Sequence, residues 1–222
     1  MLPQINKRIY IFFFLFLTLS SLSNKNVLQF NFIDDYNLTL IDKSEINENL
    51  IIRDLSILQK ENLFFLKKEK IFEVIKLFPA VENYSIFKNY PSKIYIDIQR
   101  TKFLAITKKH GNDFYVGSNG NLIKAENKKK LPYIFGDLDI EEFYKIKKII
   151  DNSDFNFDDI KNFYYFKSKR WDIETNSGLI IKLPSENIET AFQTLLKVIQ
   201  SKKITNFNKI DLRQTGQIIL DE

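Results

Sequence analysis

The sequence predicts an α+β fold: an N-terminal membrane helix, a small β-α-α-β-β unit, and then a mostly antiparallel β domain with two or three helices. Three observations predict it. An apolar run starts at Ile9, directly behind the basic pair Lys7-Arg8. From about residue 46 to 78 apolar residues recur at helical spacing. From Ile94 onward period two takes over, and glycine-containing turns punctuate short β-rich runs.

Composition bounds what these elements can belong to. In a chain of 222 residues, 44% hydrophobic and 14% aromatic content is enough to fill a core in each of two domains. The formal net charge of +5 is a modest excess that by itself does not point to nucleic acid. No cysteine is present, so in an exported protein no disulfide supports the fold.

The run from Ile9 to about Leu22 covers about 14 residues, roughly 21 Å as a helix against a hydrocarbon core of roughly 30 Å. Length allows two readings. One is a cleaved signal peptide ending at Ser21-Leu22-Ser23; the other is an anchor over residues 9–24 that snorkels Arg8 and Lys25 at its ends. In both, residues 1–8 stay in the cytoplasm and everything after Lys25 is translocated.

Residues 25–100 form the first module. Val27 to Ile41 reads as extended, Asp42 and Ser44 supply capping chemistry, and Ile46, Leu50, Ile51, Leu55 and Leu58 keep helical spacing. A second helix covers Lys68 to Leu77 and stops at Phe78-Pro79, because proline disfavours helix in the residue before it. Val81 to Phe87 and Ile94 to Ile98 follow as strands; in the latter, Ile94, Ile96 and Ile98 alternate with Tyr95, Asp97 and Gln99.

Residues 101–222 form the second module. Strands are predicted at Phe103 to Thr107 and Phe114 to Val116, with a hairpin turn at Ser118-Asn119-Gly120. "LPYIFG" (131–136) is extended and ends on glycine, helices cover Glu141 to Ile150 and Ile188 to Ile199, and Trp171 to Thr175 pairs with Leu179 to Leu183. After Ile210-Asp211-Leu212-Arg213 a turn through Thr215-Gly216 leads to a last strand, Gln217 to Leu220, expected at or near a sheet edge.

Catalytic chemistry is not legible. His110, the one histidine, sits in a Lys-Lys-His-Gly turn without a Ser or Cys partner in motif spacing. Asp137, Asp139, Glu141 and Glu142 read as the acidic start of a helix rather than a calcium loop. No phosphate-binding glycine loop is present, and the lysine runs at 128–130 and 145–148 read as solvated faces. The expectation is therefore no enzyme, no cofactor, no metal, no nucleic acid and no small-molecule substrate.

Five motifs in order resemble the FtsQ/DivIB family of bacterial cell-division proteins: "LFPAVENYSIFKNYPSKIYIDIQR", "FYVGSNGNLI", "LPYIFG", "RWDIETNSGLIIKLP" and "IDLR". The chain departs from the family pattern where Gln99-Arg100-Thr101-Lys102 lacks a glutamate and a proline, and where Gln214 replaces an aromatic residue. The resemblance implies a POTRA domain over residues 25–100 and a single-pass protein of the bacterial inner membrane with its bulk in the periplasm. It also implies a non-enzymatic linker of septal wall synthesis whose partners are the FtsB/FtsL pair. The residues expected to receive a partner by strand addition are Gln214, Thr215, Gly216, Gln217, Ile218, Ile219 and Leu220, together with Phe192 and Leu196 on the neighbouring helix and the cations Arg170 and Arg213. A second reading keeps the small module and makes the chain a periplasmic adaptor in outer-membrane protein assembly or secretion.

Overall fold

The computed structural model describes residues 7–21, 35–40, 48–126, 129–200, 207–214 and 216–221. Contacts divide the chain into two units, one of Met1–Ile41, Asn47–Leu77 and Tyr84–Ile98, the other of Asp42–Ile46, Phe78–Asn83 and Gln99–Glu222. The predicted extension at 27–34 and the capping residues Asp42 and Ser44 lie outside the described residues.

In the first unit, helix α1 (Lys7–Ser21) has 15 residues, with side chains exposed on all sides from Ile9 to Leu17. Among the described residues no helix is long and apolar enough to cross a membrane. Strand β1 (Asp35–Leu40), helix α2 (Glu48–Leu55) with a 3-10 turn at Ser56–Lys60, helix α3 (Lys68–Ile75), and strands β2 (Val81–Asn89) and β3 (Lys93–Arg100) follow in the predicted order. The sheet order is β1-β3-β2, with β1 parallel to β3 and Leu38 opposite Ile96. Each helix buries residues one turn apart, Ile51 and Leu55 on α2 and Ile71 and Ile75 on α3, while Ile94, Ile96 and Ile98 fill the sheet face. Each such side chain is worth roughly 1.5–3 kcal/mol of burial, so the alternation in β3 alone fixes its register.

The second unit carries a nine-stranded sheet. Its strands are β4 (Phe103–Lys109), β5 (Asn112–Gly117), β6 (Leu122–Lys124), β7 (Tyr133–Phe135), β8 (Ile160–Tyr165), β9 (Trp171–Thr175), β10 (Ile180–Lys182), β11 (Lys209–Asp211) and β12 (Ile219–Asp221), with helices α4 (Ile140–Asp151) and α5 (Ile188–Gln200). The strand order is β12-β11-β10-β9-β8-β7-β4-β5-β6. Five neighbouring pairs are antiparallel, but β4 with β7, β7 with β8 and β10 with β11 are parallel. Two of the three parallel pairs follow from the connections, because α4 joins β7 to β8 and α5 joins β10 to β11 as crossovers, and a crossover returns the chain in the same direction.

Strand β8 was not foreseen. A register shift between Ile160 and Asn162 puts the buried Ile160 and Phe163 three residues apart, which breaks the alternation a sequence reading looks for. Both helices pack on one core with the sheet: Phe143, Ile146 and Ile150 from α4, Phe192 and Leu195 from α5, and Val116, Ile134, Phe163, Ile173, Ile181 and Ile210 from the strands. Trp171 is fully buried among Phe163 (5.9 Å between ring centres), Phe143 (6.3 Å) and Tyr165 (4.5 Å). Its indole N–H has no hydrogen-bond partner among the described residues.

Two local devices hold the sheet in shape. Asp139 caps α4, its carboxylate accepting from the Glu141 N–H (3.0 Å) and the Glu142 N–H (3.3 Å), so the acidic run is the start of a helix. In the Ser118-Asn119 turn, the Asn119 amide donates to the carbonyls of Pro79 (2.9 Å) and Val81 (2.8 Å), and Ser118 Oγ donates to Glu82 at 2.8 Å.

Candidate protein-binding edge

The last thirteen residues of the described chain divide sharply. Ile210 and Leu212 are buried, whereas Arg213, Gln214 and everything described from Gly216 to Asp221 are exposed. Gly216 turns the chain with φ +78°, a conformation that favours glycine, and β12 then runs back along β11 with Leu220 opposite Ile210 and Ile219 opposite Asp211. Strand β12 is one edge of the sheet, β6 being the other. Ile218, Ile219 and Leu220 are 37–46% exposed although successive residues point to opposite faces, so this edge presents apolar surface on both sides. A cavity of about 160 Å³ lies beside it, lined by Pro184, Thr190, Ala191 and Thr194 on one side and Leu212 and Ile218 on the other.

Charge is organised across the strands next to this edge. Lys182 on β10 stands opposite Asp172 on β9 and Asp211 on β11. Arg170 Nε is 3.2 Å from Asp172, and its guanidinium lies 4.2 Å from the Phe166 ring centre. Arg213 grips Asp211 with Nε at 2.8 and 2.9 Å and Nη2 at 2.5 Å. Burial pushes the Asp172 carboxyl up, with Arg170 and Lys182 opposing; the hydrogen bond from Arg213 holds Asp211 down. Further along β9, Glu174 takes bonds from Lys161 (2.7 Å), Asn162 (2.9 Å) and Tyr164 (2.7 Å), which lower its pKa to about 2.

These placements sort the residues expected at the site. Gln214, Gly216, Gln217, Ile218, Ile219 and Leu220 are exposed together along one margin of the sheet, and Thr215 lies outside the described residues. Phe192 corrects the expectation: at 1% exposure it sits in the core, edge-on to Phe155 at 5.6 Å, because the apolar stripe of α5 through Phe192 and Leu195 is what the helix buries. Leu196, one residue further round, is half-buried. Arg213 lies where the edge begins, whereas Arg170 precedes β9, three strands in from β12, and each is engaged by an aspartate two residues away. The residues missed were Pro184, Thr190, Ala191 and Thr194, whose only signal was small size at helical spacing after Leu183-Pro184. Among the described residues no group of three or more acidic or histidine side chains could hold a metal.

Residues 105–213 match the family model of the cell division protein FtsQ/DivIB C-terminal domain. The chain belongs to the FtsQ/DivIB family of cell-division proteins. It is 20% identical over 198 residues to the cell division protein FtsQ of Rickettsia bellii (strain RML369-C), covering 84% of this chain and 71% of that protein. It is 24% identical over 146 residues to the cell division protein FtsQ of Rhizobium radiobacter, covering 63% of this chain and 69% of that one. A solved structure, the major extracytoplasmic domain of the trans isomer of the bacterial cell division protein DivIB from Geobacillus stearothermophilus, aligns at a TM-score of 0.33 and 13% identity, covering 47% of this chain and 98% of that one. The FtsQ/DivIB match begins in β4 and ends at Arg213, so the Asp211–Arg213 pair falls inside it and β12 falls beyond it.

Proposed function

We propose that this FtsQ/DivIB family member is a non-enzymatic cell-division protein, anchored in the inner membrane through residues 9–24, whose second unit takes up a segment of a divisome partner as an added strand on β12. The observation that carries this reading is the position of β12 at the sheet edge with Ile218, Ile219 and Leu220 exposed on both faces. An edge strand offers main-chain N–H and C=O groups to a further strand, and its side chains set the register. The cavity against α5 would receive an apolar side chain of that segment, and an acidic residue would meet the outward donors of Arg170 and Arg213.

The partner class follows from the family resemblance: a membrane protein of the FtsB/FtsL kind. The β1-α2-α3-β2-β3 order supports reading residues 25–100 as a POTRA domain. All-round exposure of Ile9 to Leu17 supports the anchor, since an apolar segment uncovered on every side calls for an apolar surrounding. Deletion of Gln217 to Glu222 is expected to abolish co-purification of FtsB/FtsL-like partners while the circular dichroism and unfolding midpoint of the chain change little. Retained co-purification would sink the edge-strand reading.

A further inference from the structure

Two phenylalanines of the first unit are held out into solvent by a firmly built turn. Between the 3-10 turn and α3, Leu63 and Leu66 are buried, while Phe64 and Phe65 between them are 63% and 79% exposed. The Asn62 carbonyl accepts from the N–H groups of Phe65 (3.1 Å) and Leu66 (3.0 Å), and the Asn62 side chain accepts from the Phe64 N–H at 2.9 Å. From the other side Lys88 on β2 donates to the carbonyl of Leu63 (3.1 Å) and to that of Leu66. Phe64 stacks on the half-exposed Tyr90, 4.5 Å between ring centres. Scattered exposed apolar residues are ordinary; a contiguous aromatic group on a fixed support marks a contact surface.

The rim of this group is cationic. Lys67 and Lys68 follow the pair after the buried Leu66 and are exposed, and Lys93 lies just beyond Tyr90-Pro91-Ser92 and is exposed as well. Of the acids nearest in sequence, Glu61 is bound to Lys70 at 2.5 Å, and Glu69 is exposed beside Lys68 in the chain. Aromatic tips ringed by lysines suit the boundary between acyl chains and anionic headgroups, where rings sink below the headgroups and cations meet phosphate.

We infer that the Phe64-Phe65 turn inserts into the headgroup layer of the membrane, with Lys67, Lys68 and Lys93 meeting anionic phospholipid. The inference rests on the anchor reading above: a tether to the same bilayer makes a weak interfacial contact an intramolecular one, so a single shallow wedge suffices. It assigns the first unit a lipid-facing side.

The chain has no cysteine, so one probe site can be introduced cleanly. Full-length chain carrying a nitroxide at Phe65→Cys is reconstituted in phosphatidylethanolamine/phosphatidylglycerol vesicles, with Ser177→Cys in the second unit as the aqueous reference. The spin label at 65 is expected to relax with dissolved oxygen in preference to a water-soluble nickel chelate, at a depth of about 5–10 Å; the label at 177 should show the reverse. In phosphatidylcholine vesicles, and in K67E/K68E, the oxygen preference at 65 should fall. Equal nickel access at both sites in protein that survives an alkaline carbonate wash overturns the inference and leaves the anchor standing. Release of the protein by that wash overturns the anchor and the tethered contact with it. Protection of position 65 in native membranes but not in lipid vesicles also overturns the inference, and assigns the turn to a protein partner.

Discussion

Arg213 closes back on Asp211, two residues earlier in the chain, with both carboxylate oxygens within 2.9 Å of its guanidinium. The pair sits where the buried end of β11 passes into the exposed turn toward β12, so it fixes the point at which the edge begins. Arg213→Ala leaves the buried Asp211 without its main partner. The substitution is expected to lower stability by about 1 kcal/mol, to raise the Asp211 pKa, and to weaken partner capture; NMR titration of the carboxyl checks the second point directly.

Phe192 and Leu196 distinguish core from contact on α5. Phe192→Ala removes a buried ring packed on Phe155 and should cost about 3–5 kcal/mol in urea unfolding. Leu196→Ala, at a half-buried position, should cost about 1–2 kcal/mol. A small loss at Phe192 accompanied by lost partner binding would contradict its assignment to the core.

Gly136 has φ +109°, and a Cβ there would stand 2.1 Å from the Tyr165 carbonyl oxygen, a backbone atom on the adjacent strand. Gly136→Ala combines a strained φ with a backbone clash between β7 and β8. The expected loss is about 3 kcal/mol or more, read as a lower urea midpoint.

Glu174 carries the clearest pH dependence. Its folded pKa of about 2 lies below the ordinary value of 4.5, so the folded state binds its proton later than the unfolded state does. Its contribution is complete above pH 4.5 and is lost as pH falls toward 2. Asp172 works in the opposite sense, since its pKa is raised and its charged form is the disfavoured one in the fold. Glu174→Gln should flatten the fall in stability between pH 4.5 and 2, measured by thermal unfolding across that range.

Asn119 ties the turn after β5 to residues 79–81. Asn119→Ala removes two side-chain bonds to backbone carbonyls and should lower stability by about 1–3 kcal/mol. Hydrogen exchange should rise first around Pro79 to Asn83.

The sequence alone determined the alternation that buries Ile94, Ile96 and Ile98, the acidic start of α4, both helices of the small unit and the exposed last strand, because each rests on contacts within a few residues. Motif order across the chain also carried the family. Tertiary structure decided the rest. The bulge that disguises β8, the parallel pairing imposed by the two crossovers, and the burial of Phe192 depend on neighbours far away in the chain. So does the fixing of Phe64 and Phe65 in the open by Lys88, whose ammonium reaches the carbonyls of Leu63 and Leu66 from 25 and 22 residues away. Local periodicity reports which face of an element is apolar; only packing determines whether that face is covered by the chain itself or left for something else.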